Sequence, residues 1–391
     1  MGKPYLPSHR HTQIFLGLFL LAPVFYFGYP YVSGSLYEIP NQSATSSNPA
    51  LSALPAKKVF IATHIKPPQA VKGIYMTSCV AGSQTWRDSL LKIANETEIN
   101  SIVIDIKDYT GTISFPIDNP MFEKNGGKGC RVPDMREFVQ KLHEHDVYVI
   151  GRITVFQDPH YTKIRPDLAV QSISLGGPWK DYKGLSFIDV GAKEYWDYIV
   201  VLSRESYKAG FDEINFDYVR FPSDGDMKDV KYLWTGTTTK SSMLKDFFSY
   251  LNYNLSGTGP ILSVDLFGMT TTNSDDLNIG QVLENTLPYF DYVSPMVYPS
   301  HYSANFNGWE NPNKNVYDVV NYSMMKAVAR VAAASTTPLK LRPWLQDFDY
   351  GGNYGEAEVR AQKKAVYDAG LTSWMLWDPA NRYTREALDK E

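Results

Sequence analysis

From Lys72 onward the chain alternates short apolar runs with longer stretches of helical periodicity. The strand candidates begin at Lys72 (KGIYM), Ser101 (SIVIDIK), Val147 (VYVIGRIT), Glu213 (EINFDYV), Ile261 (ILSVDLF), Tyr292 (YVSPMVY), Lys340 (KLRPWLQ) and Ser373 (SWMLWD). Between them, TWRDSLLKIANE places Trp86, Leu90, Leu91 and Ile93 on one helical face, and PDMREFVQKLHEH opens with Pro133 at a plausible first helical position. Two further helical stretches close on Gly210 and Gly370, residues suited to the left-handed turn that ends a helix. Strand–helix alternation argues for a parallel sheet, and eight repeats argue for a closed (β/α)8 TIM barrel. A doubly wound open sheet is the competing reading. It calls for a glycine-rich phosphate loop after an early strand, which this chain lacks.

The connections are asymmetric. Segments leading from helix into strand are short, as in HDVYV and AGFDEI. Segments leaving strands are long, over 107–132, 156–191, 221–240 and 299–316. In barrels of this kind the strand-to-helix loops build the active face, so the expected fold is a barrel with long βα loops and a site at its C-terminal face.

Side chains on a strand alternate between two faces. On EINFDYV this puts Glu213, Asn215 and Asp217 on one face and Ile214 and Phe216 on the other. The same parity pairs Asp105 with Lys107, Arg152 with Thr154, Ser263 with Asp265, and Ser294 with Met296 and Tyr298. Trp344 and Gln346 mark the seventh strand, Trp377 and Asp378 the eighth. The outer face of a barrel is covered by helices and must be apolar, so the polar faces point inward. Asp105, Asp217 and Asp265, with Lys107, Arg152 and Arg220 nearby, form an environment that drives carboxyl pKa values apart. Such a pair is what glycosidic cleavage needs: one acid to protonate the leaving oxygen, one carboxylate to attack or to activate water. An internal salt-bridge network is the competing reading of the same residues. Asn215, Tyr298, His301, Trp344, Trp377 and Asp378 complete the expected substrate-binding set. Tyr109, Trp179, Tyr182, Trp234, Tyr302 and Trp309 lie on or beside the same loops as further candidate sugar platforms.

KGIYMT, IVIDIKDYTGTI, DEINFDYVRFPSDG, VSPMVYPSHY and SWMLWDPANRY together resemble the putative glycosyl hydrolase domain family, bacterial proteins within the wider TIM-barrel glycosidase superfamily. The resemblance runs from about Val71 to Tyr383. It implies glycosidase activity, and it places Asp217 where more distant chitinase-like and amylase-like barrels carry an essential acid at the end of the fourth strand. The chain departs from the chitinase-like pattern with Tyr218 after Asp217, and from the amylase-like one with Asp265 on the fifth strand.

Composition narrows the field. A net charge of −4 without a basic stripe offers nothing to nucleic acid. No strand carries the paired histidines of a metal-dependent barrel hydrolase, and two cysteines cannot build a metal cluster. No metal or cofactor is therefore expected. Cys79 and Cys130 follow the first two strands and could form a disulfide in an oxidising compartment, two free buried thiols being the competing reading. His143 and His145 end a helix and read as solvated.

Before the barrel, residues 14–32 are apolar and follow a segment holding Lys3 and Arg10 but no acid. Residues 1–32 thus read as a single-pass membrane anchor with the barrel on the extracytoplasmic side, or as a signal segment removed on secretion. Residues 33–70, rich in Ser, Pro, Asn and Ala, read as a flexible stalk, and 71–391 as the catalytic barrel. The expected function is an exported glycoside hydrolase acting on a polysaccharide or cell-envelope glycan; the alternative is a barrel that binds a glycan without cleaving it.

Overall fold

A computed structural model describes residues 60–125 and 129–390. Its centre is a closed barrel of eight parallel strands: β1 (Lys72–Met76), β2 (Ser101–Lys107), β3 (Tyr148–Thr154), β4 (Glu213–Asp217), β5 (Ile261–Phe267), β6 (Tyr292–Met296), β7 (Trp344–Gln346) and β8 (Trp374–Trp377). They follow one another around the barrel in chain order, with β8 pairing β1. Each expected strand is present. The long loops after β3 and β4 add a small three-stranded sheet from Gln171–Ser172, Gly177–Pro178 and Val230–Lys231.

The two faces separate as the alternation demands. Ile102, Ile104, Ile106, Val149, Ile153, Ile214 and Phe216 point outward into the main core, which the helices cover. The helix Lys193–Lys208 contributes Tyr195, Trp196, Ile199 and Leu202, spaced to share one face. Gly210 (φ +114°) then takes the left-handed conformation that ends it. The helix Met135–His143 buries Met135, Phe138, Val139 and Leu142 in the same manner. It begins two residues after Pro133, and Asp134 does not cap it, because both Asp134 carboxylate oxygens accept from Arg87 at 2.7 Å.

Inside the barrel the lowest layer is an ion pair. Arg342 Nη1 donates to both Glu213 oxygens at 2.9 and 3.0 Å, and Tyr148 Oη donates to Glu213 Oε2 at 3.1 Å. The Arg342 guanidinium also lies 3.7 Å from the Tyr292 ring centroid. The first acid of the EINFD row is thus part of an internal salt bridge, sealed from the mouth.

The described residues begin at Phe60, ahead of the expected boundary at 71. The stretch 60–70 has no helix or strand, but it is docked and not a free linker. Ile65 N donates to Asp212 Oδ1 at 2.8 Å, Thr63 Oγ1 contacts His143 Nδ1 at 3.0 Å, and the His64 ring stacks on Tyr207 at 3.9 Å. His143 is buried rather than solvated, with Nε2 2.9 Å from Asp212 Oδ2. Burial alone would raise the Asp212 pKa, but the bonds from His143, His64 and the Val149 amide outweigh it and hold the carboxyl below its usual value. The clasp therefore stabilises the fold at pH values above the ordinary carboxylate range, and that stability is lost as pH falls through the lowered value. Asp212→Ala is expected to cost about 3 kcal/mol, the scale of breaking a buried pair, and to raise amide exchange over residues 60–70. Unchanged exchange there would show that the clasp does not hold the segment.

Cys79, in the short helix Ser78–Ala81 after β1, is bonded to Cys130 in the loop after β2, with Cα atoms 4.7 Å apart. The double variant Cys79→Ala/Cys130→Ala should lose about 2–4 kcal/mol of unfolding free energy, the usual scale for such a crosslink; equal denaturant midpoints with and without the bond would contradict this. No helix among the described residues is long and apolar enough to cross a membrane. The expected anchor over 1–32, and the stalk up to residue 59, lie outside the described residues.

Candidate active site

The EINFD alternation delivers three polar side chains to the barrel interior at three depths. Above the Glu213 layer, Asn215 Nδ2 donates to Ser263 Oγ at 3.1 Å and to Asp265 Oδ1 at 2.9 Å. At the top, Asp217 Oδ2 accepts twice from Arg152, from Nε at 3.0 Å and Nη2 at 2.6 Å. Asp217 Oδ1 accepts from the Tyr218 amide at 2.6 Å. Tyr218 itself sits at φ +53°, a conformation that a bulky residue adopts only where its surroundings impose it.

Arg152 ties two acids together. Its Nη1 donates to Asp105 Oδ1 at 2.6 Å, and Asp105 Oδ2 accepts from Tyr75 Oη at 2.5 Å. The Tyr75 ring stacks on Trp377 at 3.9 Å, and the Arg152 guanidinium lies 5.0 Å from the Trp377 ring. Burial works against the charge on Arg152, but Asp217 and Asp105 outweigh it and hold the guanidinium above its usual range. Burial also pushes Asp105 upward, against the pull of Arg152 and Tyr75.

Asp265 has different surroundings. Its Oδ1 accepts from Asn215 and from Trp344 Nε1, each at 2.9 Å, while Oδ2 has no hydrogen-bond partner among the described residues. Both donors are neutral, and no cation pairs with the group. Burial, then the charge on Asp217, push its pKa well above the ordinary carboxylate range, and the bonds from Asn215 and Trp344 do not offset them. Two carboxyls of one cavity are therefore held in opposed settings, one by an arginine and one among neutral donors.

That cavity measures about 320 Å³ and opens at the C-terminal ends of the strands. Arg152, Asp217, Asp265, Arg220, Tyr298, His301, Trp344 and Trp377 line it, all expected from sequence. Tyr302 lines it too; His301 is exposed. Tyr298 Oη, buried, has no partner among the described residues.

Other expected residues fall elsewhere. Asp105 lies behind Arg152, and Asn215 beneath Asp265, so each touches a lining residue without being one. Lys107 leaves the site: its Nζ donates to Asp158 Oδ2 at 2.8 Å and to Tyr195 Oη at 3.0 Å. The β2–β3 register shifts between Asp105 and Lys107, so the parity that linked them breaks there. Asp378 lies outside the cavity lining and caps the turn after β8, accepting from the Ala380 and Arg382 amides at 2.8 Å. Trp179 packs on Phe187 in a separate small core, and Trp309 on Phe306 and Tyr322. Tyr109, Tyr182 and Trp234 are exposed and do not line the cavity.

Several lining residues were not anticipated: Tyr218, Phe267, Gly268 and Met269. Gly268 carries a readable reason after the fact, since a Cβ there would lie 2.3 Å from Met296 O and 2.8 Å from Tyr302 Oη. Tyr75, which holds Asp105, shares the inward parity of Gly73 on β1 and could have been found by extending the strand argument to that element.

No curated protein matches the chain. Among solved structures, a hypothetical protein from Ruminiclostridium thermocellum ATCC 27405 is 31% identical over 53% of this chain and 98% of its own, with a TM-score of 0.45. The glycoside hydrolase domain of PgaB (BpsB) from Bordetella bronchiseptica is 15% identical, covering 82% of this chain and 99% of that one, with a TM-score of 0.59, a likeness of fold. Residues 73–383 match the family described as a putative glycosyl hydrolase domain. Barrel, cavity and match cover the same stretch, and the chain belongs to the putative glycosyl hydrolase domain family.

Proposed function

We propose that this chain hydrolyses glycosidic bonds of a polysaccharide or cell-envelope glycan, using Asp217 and Asp265 as its carboxyl pair. The observation that carries this reading is the contrast between the two acids: Asp217 takes two hydrogen bonds from Arg152, while Asp265 has no cationic partner and one unpartnered oxygen. Asp265 holds its proton and gives it to the leaving glycosidic oxygen. Asp217, paired with Arg152, attacks the anomeric carbon or takes a proton from the attacking water. Asp105 and Tyr75 act through Arg152, fixing the guanidinium that orients Asp217. Trp377, Trp344 and Tyr298 offer ring faces to the sugar.

Export and tethering belong to the same proposal. The apolar run 14–32 behind a positive flank supports a membrane anchor with the barrel outside, and the Cys79–Cys130 bond fits an oxidising compartment. The test is release of new reducing ends from a panel of defined polysaccharides by the full chain in mild detergent. Binding of glycans with no cleavage at any pH would replace the hydrolase with a glycan-binding barrel.

A further inference from the structure

Arg220 is a buried guanidinium in the cavity wall, 9% exposed. Its hydrogen-bond partners and the rings it lies over are neutral. Nη1 donates to Phe221 O at 3.2 Å and to Ser223 Oγ at 3.1 Å, and the rings of Tyr218 and Phe267 lie 5.1 and 5.0 Å away. Nε and Nη2 make no hydrogen bond with the described residues. Every other buried cation among the described residues holds an acid: Arg87 with Asp134, Lys107 with Asp158, Arg152 with Asp105 and Asp217, Arg342 with Glu213, and Lys363 with Glu98. Buried charges are ordinarily paired, because an unpaired one forfeits its hydration without return. Asp217, Asp181 and Asp224 are near enough to favour the charge on Arg220, yet none forms an ion pair with it, and burial outweighs them.

From this we infer that the substrate carries a carboxylate, as a uronic acid or another acidic sugar does, and that Arg220 receives it through its Nε and Nη2 edge. The planar fork of a guanidinium matches a carboxylate with two parallel hydrogen bonds. The surroundings agree with an acidic chain. An adjoining hollow of about 510 Å³ shares Tyr298, His301 and Trp377 with the first and is lined by Lys183, so a glycan passing between them meets a second cation. Arg152, by contrast, is already matched by Asp105 and Asp217 and has no charge left to offer.

The inference names a substrate class and rests on the hydrolase reading of the same cavity. Its test does not require turnover. In the Asp265→Asn chain, which keeps the Asp217 charge, binding of oligogalacturonates and of glucuronate-bearing oligosaccharides is measured by calorimetry against their carboxyl-reduced counterparts. At least one acidic oligomer should bind about tenfold or more tightly than its reduced form, the scale of a charge-assisted hydrogen bond. Arg220→Gln should erase that preference and Arg220→Lys retain part of it. Reduced forms binding as well as the acidic ones, a preference that survives Arg220→Gln, or no acidic oligomer binding at millimolar concentration would each overturn the inference. An acidic preference without cleavage by the unsubstituted chain would leave Arg220 standing and remove the hydrolase instead.

Discussion

Asn in place of Asp217 should lower turnover by at least about a hundredfold, the ordinary scale for removing a positioned acid–base group, while the barrel stays folded. The Asn carbonyl can take the place of Oδ2 and still accept from Arg152, while its amide group replaces Oδ1 opposite the Tyr218 amide. It removes the charge, the nucleophilic or basic oxygen and the bond from the Tyr218 amide. Arg152 keeps Asp105 as a counter-charge at 2.6 Å, so the variant does not strand a lone buried cation. Reducing-end release on a confirmed substrate, with near-ultraviolet circular dichroism as the control for folding, is the measurement. Wild-type turnover in a well-folded Asp217→Asn chain would remove Asp217 from the chemistry.

A second large effect is expected at Asp265, in activity and in stability, with opposite signs. As proton donor it works only while protonated, so wild-type activity should fall as pH rises through its raised pKa. The linkage has the same direction. A carboxyl whose pKa is higher folded than unfolded contributes stability that is complete below about pH 4, the unfolded value, and is lost as pH rises through the folded one. Asp265→Asn cannot ionise. Its Tm at neutral pH should therefore exceed that of the wild type, the gap closing toward pH 4, while turnover drops by about a hundredfold or more. A variant less stable than wild type at neutral pH would show that Asp265 is not an acid strained by its site. Retained turnover would show that it is not the donor.

Most of the residues legible in advance lie on regular strand; Arg220, Tyr298 and His301 follow their strands by a few residues. Asp217, Asp265, Arg152 and Trp344 could be placed because alternation along β4, β5, β3 and β7 assigns each to the inner face. Reading failed where regularity fails. Lys107 stood one period beyond Asp105, but the register shift between them sends it to Asp158. Asp378 follows the last residue of β8, where parity no longer constrains the chain, and it caps a turn. Tyr218 and Met269 reach the cavity from a left-handed residue and a helical turn just past their strands. Among the aromatic candidates, Trp344, Trp377, Tyr298 and Tyr302 line the cavity, Tyr109 just past β2 is exposed and does not, and Trp179 and Trp309, deep in long loops, pack on their own neighbours.

Local patterning was thus enough to determine the barrel, its polar interior and the mouth at which the loops gather, because period-two and helical spacings are set by backbone geometry within a few residues. Which acid is paired with a cation, which meets only neutral donors, and which buried cation forms no ion pair were decided only in three dimensions. Glu213, Asp217, Asp105 and Asp265 are all acids on inward faces, yet one is locked to Arg342, two share Arg152, and one meets only neutral donors. A carboxyl's chemistry follows from the charges and the water around it, and those are supplied by strands far apart in the chain.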